Sequence, residues 1–241
     1  MLRRTLFKLA AYPLLSAMPL HAEERNRPLH ISTLTRHDPA TLIATNIVTE
    51  AYRRLNIAVQ IDELPGERSL QSADYGTTDG ELYRKAGMEV NYPNLIMIPV
   101  PLMNYEIVVF TRGARFVVNG WESLRPYTIG FVKSIKVAED NTRGMKVEVA
   151  ATLRSAFLKM SLGRSDVVVA NRLSGLAMLK ELGAGDIKLL EPAITVFPVY
   201  HYLNKKHADL VPGISDILSK MQKDKTIERI QKTVIDDSGL E

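Results

Sequence analysis

The sequence contains no cysteine among its 241 residues. This absence excludes disulfides, a thiol nucleophile, thiolate metal sites and a lipidated N-terminal cysteine. The sequence also lacks a P-loop, a dinucleotide-binding fingerprint and a nucleophile elbow. Of the five histidines, His201 and His207 lie six residues apart, which is not a helical spacing for two ligands of one metal ion. We therefore expect neither a metal site nor a cofactor.

Apolar runs long enough to cross a bilayer are absent after residue 22. Before that point, Arg3, Arg4 and Lys8 precede an apolar stretch that extends to Leu20, which is the pattern of a cleavable signal peptide. We place this signal peptide at residues 1–22. The arginine pair also resembles a twin-arginine signal, so both export routes stay open. We expect the mature protein in the periplasm.

The expected mature chain has almost no net charge, because its basic and acidic residues nearly balance. The full sequence has a formal net charge of +4, and removal of three basic residues with the signal peptide leaves about +1. This balance does not indicate a nucleic-acid partner. The hydrophobic content of 46% is enough for a packed core, and we expect a monomer.

Short apolar runs alternate with amphipathic stretches along the whole mature chain, which predicts an α/β fold with mainly parallel sheets. The first strand is expected over Leu29–Leu34, and Asp38 followed by Pro39 is a typical helix start. One α/β unit is followed by a second, and then by one strand and two helices that complete the first. This order predicts two lobes joined by two crossing strands, with lobe 1 at residues 23–108 plus 196–241 and lobe 2 at residues 109–195. A single doubly wound sheet is the alternative.

The stretch from Ile61 to Arg84 is the most informative part of the sequence. We expect a strand that ends near Leu64 and a helix that begins near Arg68. A short acidic strand is then expected to end at residues 79–81, with Arg84 just beyond it. This arrangement delivers a carboxylate and a guanidinium to the end of a strand, where open α/β sheets bind small molecules.

That stretch and four others resemble the bacterial extracytoplasmic solute-binding proteins of family 3, the amino-acid ABC transporter type. The other four are Pro99–Thr111, Trp121–Ser134, Met160–Asn171 and residues 202–230. The resemblance implies the type II periplasmic-binding-protein fold, in which two lobes close on a small solute. It also implies an inner-membrane ABC permease as partner.

By the same resemblance, Arg84 occupies the place of an arginine that binds a ligand carboxylate, and a planar two-donor head suits this task. The alternative is a surface arginine paired with Glu81 or Glu89. Glu81 is a candidate for holding a ligand cation or for orienting Arg84. It is equally compatible with a purely structural role.

Three further candidates follow from the ends of the first two strands. Similar proteins place a polar contact at the position of Thr35 and an apolar or aromatic wall at the position of Leu64. Arg68, at the start of the next helix, can attract an anion with help from the helix N-terminus. A solvated arginine is the alternative at this position.

In lobe 2, Ser134 follows a strand and precedes a short helix, so its hydroxyl and the adjacent N–H groups can bind a carboxylate. An ordinary helix cap is the alternative. Asn171 stands where similar amino-acid binders carry an acidic residue for the ligand ammonium. The ligand then either lacks an ammonium or finds its negative charge at Glu81. Five tyrosines are candidate ring walls or half-buried structural residues: Tyr75, Tyr83, Tyr105, Tyr200 and Tyr202.

We therefore expect a non-enzymatic solute-binding protein that captures a small polar, carboxylate-bearing solute, held by Arg84 and Ser134, for an ABC importer. Two rivals remain. One is an exported lyase of the same fold that acts on a cyclic acid, with Glu81 as general acid or base. The other is a module that presents its ligand to a membrane sensor.

Overall fold

The computed structural model describes residues 27–34, 38–133 and 135–240. The described strands are β1 (Leu29–Thr33), β2 (Val59–Glu63), β3 (Gly80–Lys85), β4 (Leu95–Thr111), β5 (Ile129–Val132), β6 (Val147–Ala150), β7 (Val167–Asn171) and β8 (Lys188–Asn204). The described α-helices are α1 (Pro39–Arg53), α2 (Glu67–Asp74), α3 (Lys136–Asn141), α4 (Leu153–Ser161), α5 (Arg172–Leu182), α6 (Val211–Lys223) and α7 (Thr226–Ser238). The predicted signal peptide, Thr35 and Ser134 lie outside the described residues.

The eight strands form one hydrogen-bonded sheet in the order β2-β1-β3-β8-β4-β7-β5-β6. Its centre is the antiparallel pair of β4 and β8, which are 17 residues long each. In one half of the sheet β8 pairs with β3, and in the other half β4 pairs with β7. The prediction of an α/β fold with two crossing strands is therefore confirmed.

The apolar runs at residues 95–100 and 105–111, which prolines and Asn104 separate, predict two short strands, and the runs at 187–190 and 196–203 predict two more. The structure joins each pair into one long strand, so this prediction is wrong. Pro99 and Pro101 lie inside β4, and Pro192 and Pro198 lie inside β8. The β4–β8 register shifts on both sides of Pro101, so the ladder accommodates the missing N–H group there.

The buried apolar side chains separate into clusters along the same division. In the largest cluster the buried members come from residues 29–103 and 199–234. Two other clusters, on the other half of the sheet, draw their buried members from residues 107–194. Tyr105 and Phe197 pack against clusters on both sides of the division. The boundaries after 108 and after 195 stay a prediction.

Two local predictions near the expected site have different outcomes. Asp38 caps α1 as expected, since its Oδ1 accepts a hydrogen bond from the Ala40 N–H at 2.9 Å. The acidic strand, however, begins at Gly80 instead of ending near it. Gly80 pairs with Ile31 in the middle of β1, so Glu81 lies within the sheet and not at the end of a strand.

None of the helices in the described ranges combines the length and the apolar character that crossing a membrane requires.

Gly80 tests how tightly β3 is packed against β8. A Cβ atom at this position would lie 2.3 Å from the backbone oxygen of Tyr202, and a backbone atom cannot move away cheaply. We expect Gly80→Ala to lower the free energy of unfolding by about 2 kcal/mol or more, as overpacking does. Urea denaturation followed by circular dichroism measures this loss.

The matched control is Gly113→Ala, because a Cβ atom at Gly113 meets nothing within 4 Å. Equal stabilities of the two variants would contradict the close packing at Gly80.

Candidate functional site

A cavity of about 460 Å³ opens between the two halves of the sheet. The carboxyl ends of strands from both halves of the sheet reach it from opposite directions, through Leu34 after β1 on one side and through Val132 at the end of β5, Ala151 after β6 and Asn171 at the end of β7 on the other. Ligands of open α/β sheets bind at this end of the strands. We call this cavity the cleft.

Three helices present their N-termini to the cleft. Their N-cap residues are Asp38 for α1, Thr152 for α4 and Asn171 for α5, and all three line the cavity. The free N–H groups and the dipole of a helix N-terminus favour polar and anionic groups nearby. The apolar walls include Ile107 from β4 and Val169 from β7.

Asn171 lies at the junction of β7 and α5, and the residue is buried, with 8% of its surface exposed. Its Oδ1 accepts a hydrogen bond from the Ser174 N–H at 3.1 Å and lies 3.1 Å from the Ser174 hydroxyl. Its Nδ2 donates to the backbone oxygen of Glu106 at 3.3 Å. The amide therefore caps α5 and ties it to β4.

One hydrogen bond crosses the cleft. The Ser174 hydroxyl of α5 donates to Asp38 Oδ2 of α1 at 2.8 Å. Burial raises the pKa of Asp38, while the hydrogen bonds from Ser174 and from the Ala40 N–H act in the opposite direction. The sequence pattern identified Asp38 only as a helix cap, and it contained no signal for Ser174.

An aromatic wall stands beside Asp38. The Tyr105 ring lies 6.1 Å from the Tyr83 ring and 5.6 Å from the Phe197 ring, centroid to centroid. Burial raises the pKa of Tyr105 well above 10, Tyr83 and Asp38 raise it further, and the charge of Arg84 lowers it. Tyr83, Asp38 and Arg84 therefore all lie close enough to Tyr105 to influence its hydroxyl group.

The structure brings Glu81 and Arg84 together, as one of the sequence alternatives expected. Residues three apart on a regular strand face opposite sides. A β-bulge between Glu81 and Arg84 in the β3–β8 pair adds one residue and returns both side chains to the same side. Arg84 Nε donates to Glu81 Oε1 at 2.7 Å.

Glu81 is 1% exposed and its second oxygen is also occupied. Oε2 accepts hydrogen bonds from Ser69 Oγ at 2.6 Å and from Ser32 Oγ at 3.1 Å. Arg84 Nη2 lies 2.7 Å from Glu81 Oε1, but it lacks the alignment of a second hydrogen bond. Among the described residues this buried nitrogen has no hydrogen-bond partner. Neither residue lines the cleft.

His201 forms hydrogen bonds with the backbone of the bulge. Its Nδ1 lies 2.9 Å from the backbone oxygen of Glu81 and 3.3 Å from that of Leu82, so Nδ1 carries the proton and donates. Its Nε2 accepts from the Tyr52 hydroxyl at 3.0 Å. Burial lowers the pKa of His201 to about 4, although the two carbonyl oxygens act in the opposite direction.

Two other predicted site residues, Arg68 and Leu64, do not line the cleft. Arg68 is exposed on the first turn of α2, and Leu64 is half-buried after β2, with its N–H donated to Thr33 O at 2.8 Å. Their neighbour Gly66 lines the cleft, but these two residues do not. Their roles in binding, like those of Thr35 and Ser134, stay predictions.

A second cavity of about 610 Å³ lies between α1, α7 and the middle of β4. It shares Tyr105 and Asn171 with the cleft. Its floor is a sheet edge that is already covered, since Gln222 and Gln231 donate to the backbone oxygens of Pro101 and Leu102. We assign ligand binding to the cleft because the strand ends and helix N-termini converge there.

Known structures share this architecture. An ancestral arginine-binding protein bound to glutamine superposes with a TM-score of 0.69 at 16% identity, covering 86% of this chain and 96% of its own. A histidine kinase sensor domain similar to periplasmic binding proteins gives 0.75 at 13% identity, covering 88% and 97%. The GluR0 ligand-binding core complex with L-glutamate gives 0.75 at 10% identity, covering 86% and 97%. The chain therefore has the two-lobed type II periplasmic-binding-protein fold.

Sequence comparison adds a distant relative. A protein of Shewanella oneidensis, described only as uncharacterized, is 22% identical over 194 residues, which span 77% of this chain and 73% of the relative. No family model matches the chain.

His201 predicts a specific acid sensitivity. Its pKa of about 4 in the folded state lies below the ordinary value of 6.5, so folding favours the neutral ring. This contribution is complete above pH 6.5 and is lost as the pH falls towards 4. We expect the free energy of unfolding to fall by about 2 kcal/mol between pH 7.5 and pH 4.5 through His201.

Urea denaturation at both pH values of the native protein and His201→Gln measures this contribution, which the variant should lose. His30→Gln is the control, because the His30 ring is partly exposed and its hydrogen bond within the described residues is to Asp62. An unchanged pH dependence in His201→Gln would contradict the assignment.

Proposed function

We propose that this protein is an extracytoplasmic solute-binding protein of the periplasm, which captures a small polar solute between its lobes for an inner-membrane ABC permease. The observation that carries the proposal is the cleft itself, whose walls come from both halves of the sheet. A ligand that contacts both halves favours the closed arrangement by its differential affinity. The structural neighbours, which are binding proteins and sensor domains instead of enzymes, support a binding role.

A ligand-input module for a membrane sensor is the second candidate. The likeness to a histidine kinase sensor domain favours it specifically. The two candidates differ in their partner and not in their cleft. Deletion of the gene separates them, because loss of a permease's binding protein abolishes uptake of the labelled ligand, whereas loss of a sensor module abolishes a transcriptional response.

Native mass spectrometry of the protein purified from its host tests the capture of a solute. We expect a retained small molecule, and we expect thermal-shift screening with amino acids, amines and organic acids to raise the melting temperature. At a ligand concentration 100 times the Kd, the stabilisation is about 2.7 kcal/mol. If no molecule is retained and no compound raises the melting temperature, the proposed function is contradicted.

Arg84 remains the proposed partner of a ligand carboxylate, with Ser134 opposite it. The support is its buried Nη2, which no described residue engages in a hydrogen bond. Arg84→Ala is a poor test of this role, because it would leave Glu81 buried without its cation.

Arg84→Lys is the sharper test, because lysine keeps the charge beside Glu81 but removes the planar two-donor head. We expect carboxylate-bearing ligands to bind at least about tenfold more weakly, measured by isothermal titration calorimetry. Arg112→Lys is the control, since Arg112 is exposed and pairs with Asp186 at 2.6 Å. Unchanged affinity in Arg84→Lys would remove Arg84 from the site.

A further inference from the structure

Asp38 has a charge that its structural role does not require. Its Oδ1 caps α1 by accepting the Ala40 N–H at 2.9 Å. Asparagine and serine cap helices about as well as aspartate does. The second oxygen, Oδ2, points across the cleft to Ser174. The negative charge is therefore available for a purpose other than the helix cap.

Within the described ranges, no basic side chain forms an ion pair with Asp38; Glu81, by contrast, is paired with Arg84. Asp38 is half-buried, and a carboxylate that is partly removed from water without a counter-ion is unfavourable. The raised pKa of Asp38 reflects that environment. The electrostatics of this side of the cleft therefore favour a positive group on a bound molecule.

Hydrogen-bond acceptors also outnumber donors at this point. The Ser174 hydroxyl has one proton, yet it lies 2.8 Å from Asp38 Oδ2 and 3.1 Å from Asn171 Oδ1. It can donate to only one of these oxygens at a time. The other oxygen then has spare acceptor capacity in the cleft. An ammonium group brings three donors and no acceptor, which complements this arrangement.

The surroundings suit an organic cation. Tyr105 lines the cleft beside Asp38, and aromatic rings attract ammonium groups. Ile107, Leu153 and Val169 supply apolar surface for the carbon skeleton of a ligand. Glu81 cannot take this role, because both of its oxygens already accept hydrogen bonds inside the first lobe.

We propose that the ligand of the cleft carries a cationic amino group and that Asp38, with the acceptor oxygens of Asn171 and Ser174 beside it, binds this group. The inference rests on the proposed function, since it assigns the ligand class of the same cleft. The negative charge that position 171 lacks is supplied from the opposite lobe by the cap of α1. The ligand class is then an amine or an amino acid.

The experiment compares the native protein with Asp38→Asn, which keeps the cap of α1 and removes only the charge. Three sets of probes are used: amines such as putrescine, amino acids such as L-glutamine, and amine-free acids such as succinate. Thermal shift selects the tightest amine-bearing probe, and calorimetry measures its Kd. We expect Asp38→Asn to weaken this probe at least about 30-fold, as loss of one partner of a buried charge pair does.

Asp216→Asn is the matched control, because it is the same change at an exposed aspartate that does not line the cleft and pairs with Lys220 at 2.7 Å. We expect the Kd of the probe to change by less than about threefold in this variant. Unaltered circular dichroism of both variants shows that the fold is retained.

Two results would overturn the inference and leave the proposed function intact. One is equal amine affinity in Asp38→Asn and the native protein. The other is binding of amine-free acids alone. If none of the probe sets binds, the proposed function is contradicted and the inference falls with it.

Discussion

The antiparallel pairing of β4 with β8 is the interaction on which the rest of this molecule depends. The two 17-residue strands run through both halves of the sheet. In one half β8 also pairs with β3, and in the other half β4 also pairs with β7. Because the strands are continuous, the ends of β1 and β7 face each other across one gap. The cleft is therefore a consequence of this pairing and not of any single loop.

A buried acid, Glu81, and a half-buried one, Asp38, show how environment divides similar side chains into different roles. Glu81 is surrounded by donors from Arg84, Ser32 and Ser69, and these bonds are made within one lobe. Asp38 meets only Ser174 and the Ala40 N–H among the described residues, and the contact to Ser174 spans both lobes. A carboxylate whose hydrogen-bonding capacity is filled by the protein stabilises the fold, whereas a carboxylate with spare capacity in a cleft is suited to a ligand.

Sequence patterns predicted the elements best where local signals were complete. The capping of α1 by Asp38 is an example, since capping is a property of neighbouring residues. The long strands were missed because proline usually ends a strand, and only the register shifts around Pro101 reveal how β4 continues. The bulge that joins Glu81 to Arg84 has no sequence signal, because it depends on β8.

The sequence by itself determined the α/β class, the order of the two lobes and the residue types that border the strand ends. These properties follow from hydrophobic periodicity, which is written locally in the chain. Only the tertiary structure decided which of these residues meet: Ser174 with Asp38 over 136 positions, and His201 with the bulge at Glu81 over 120. Such contacts arise from strand register and from the packing of the whole chain, and not from neighbouring residues.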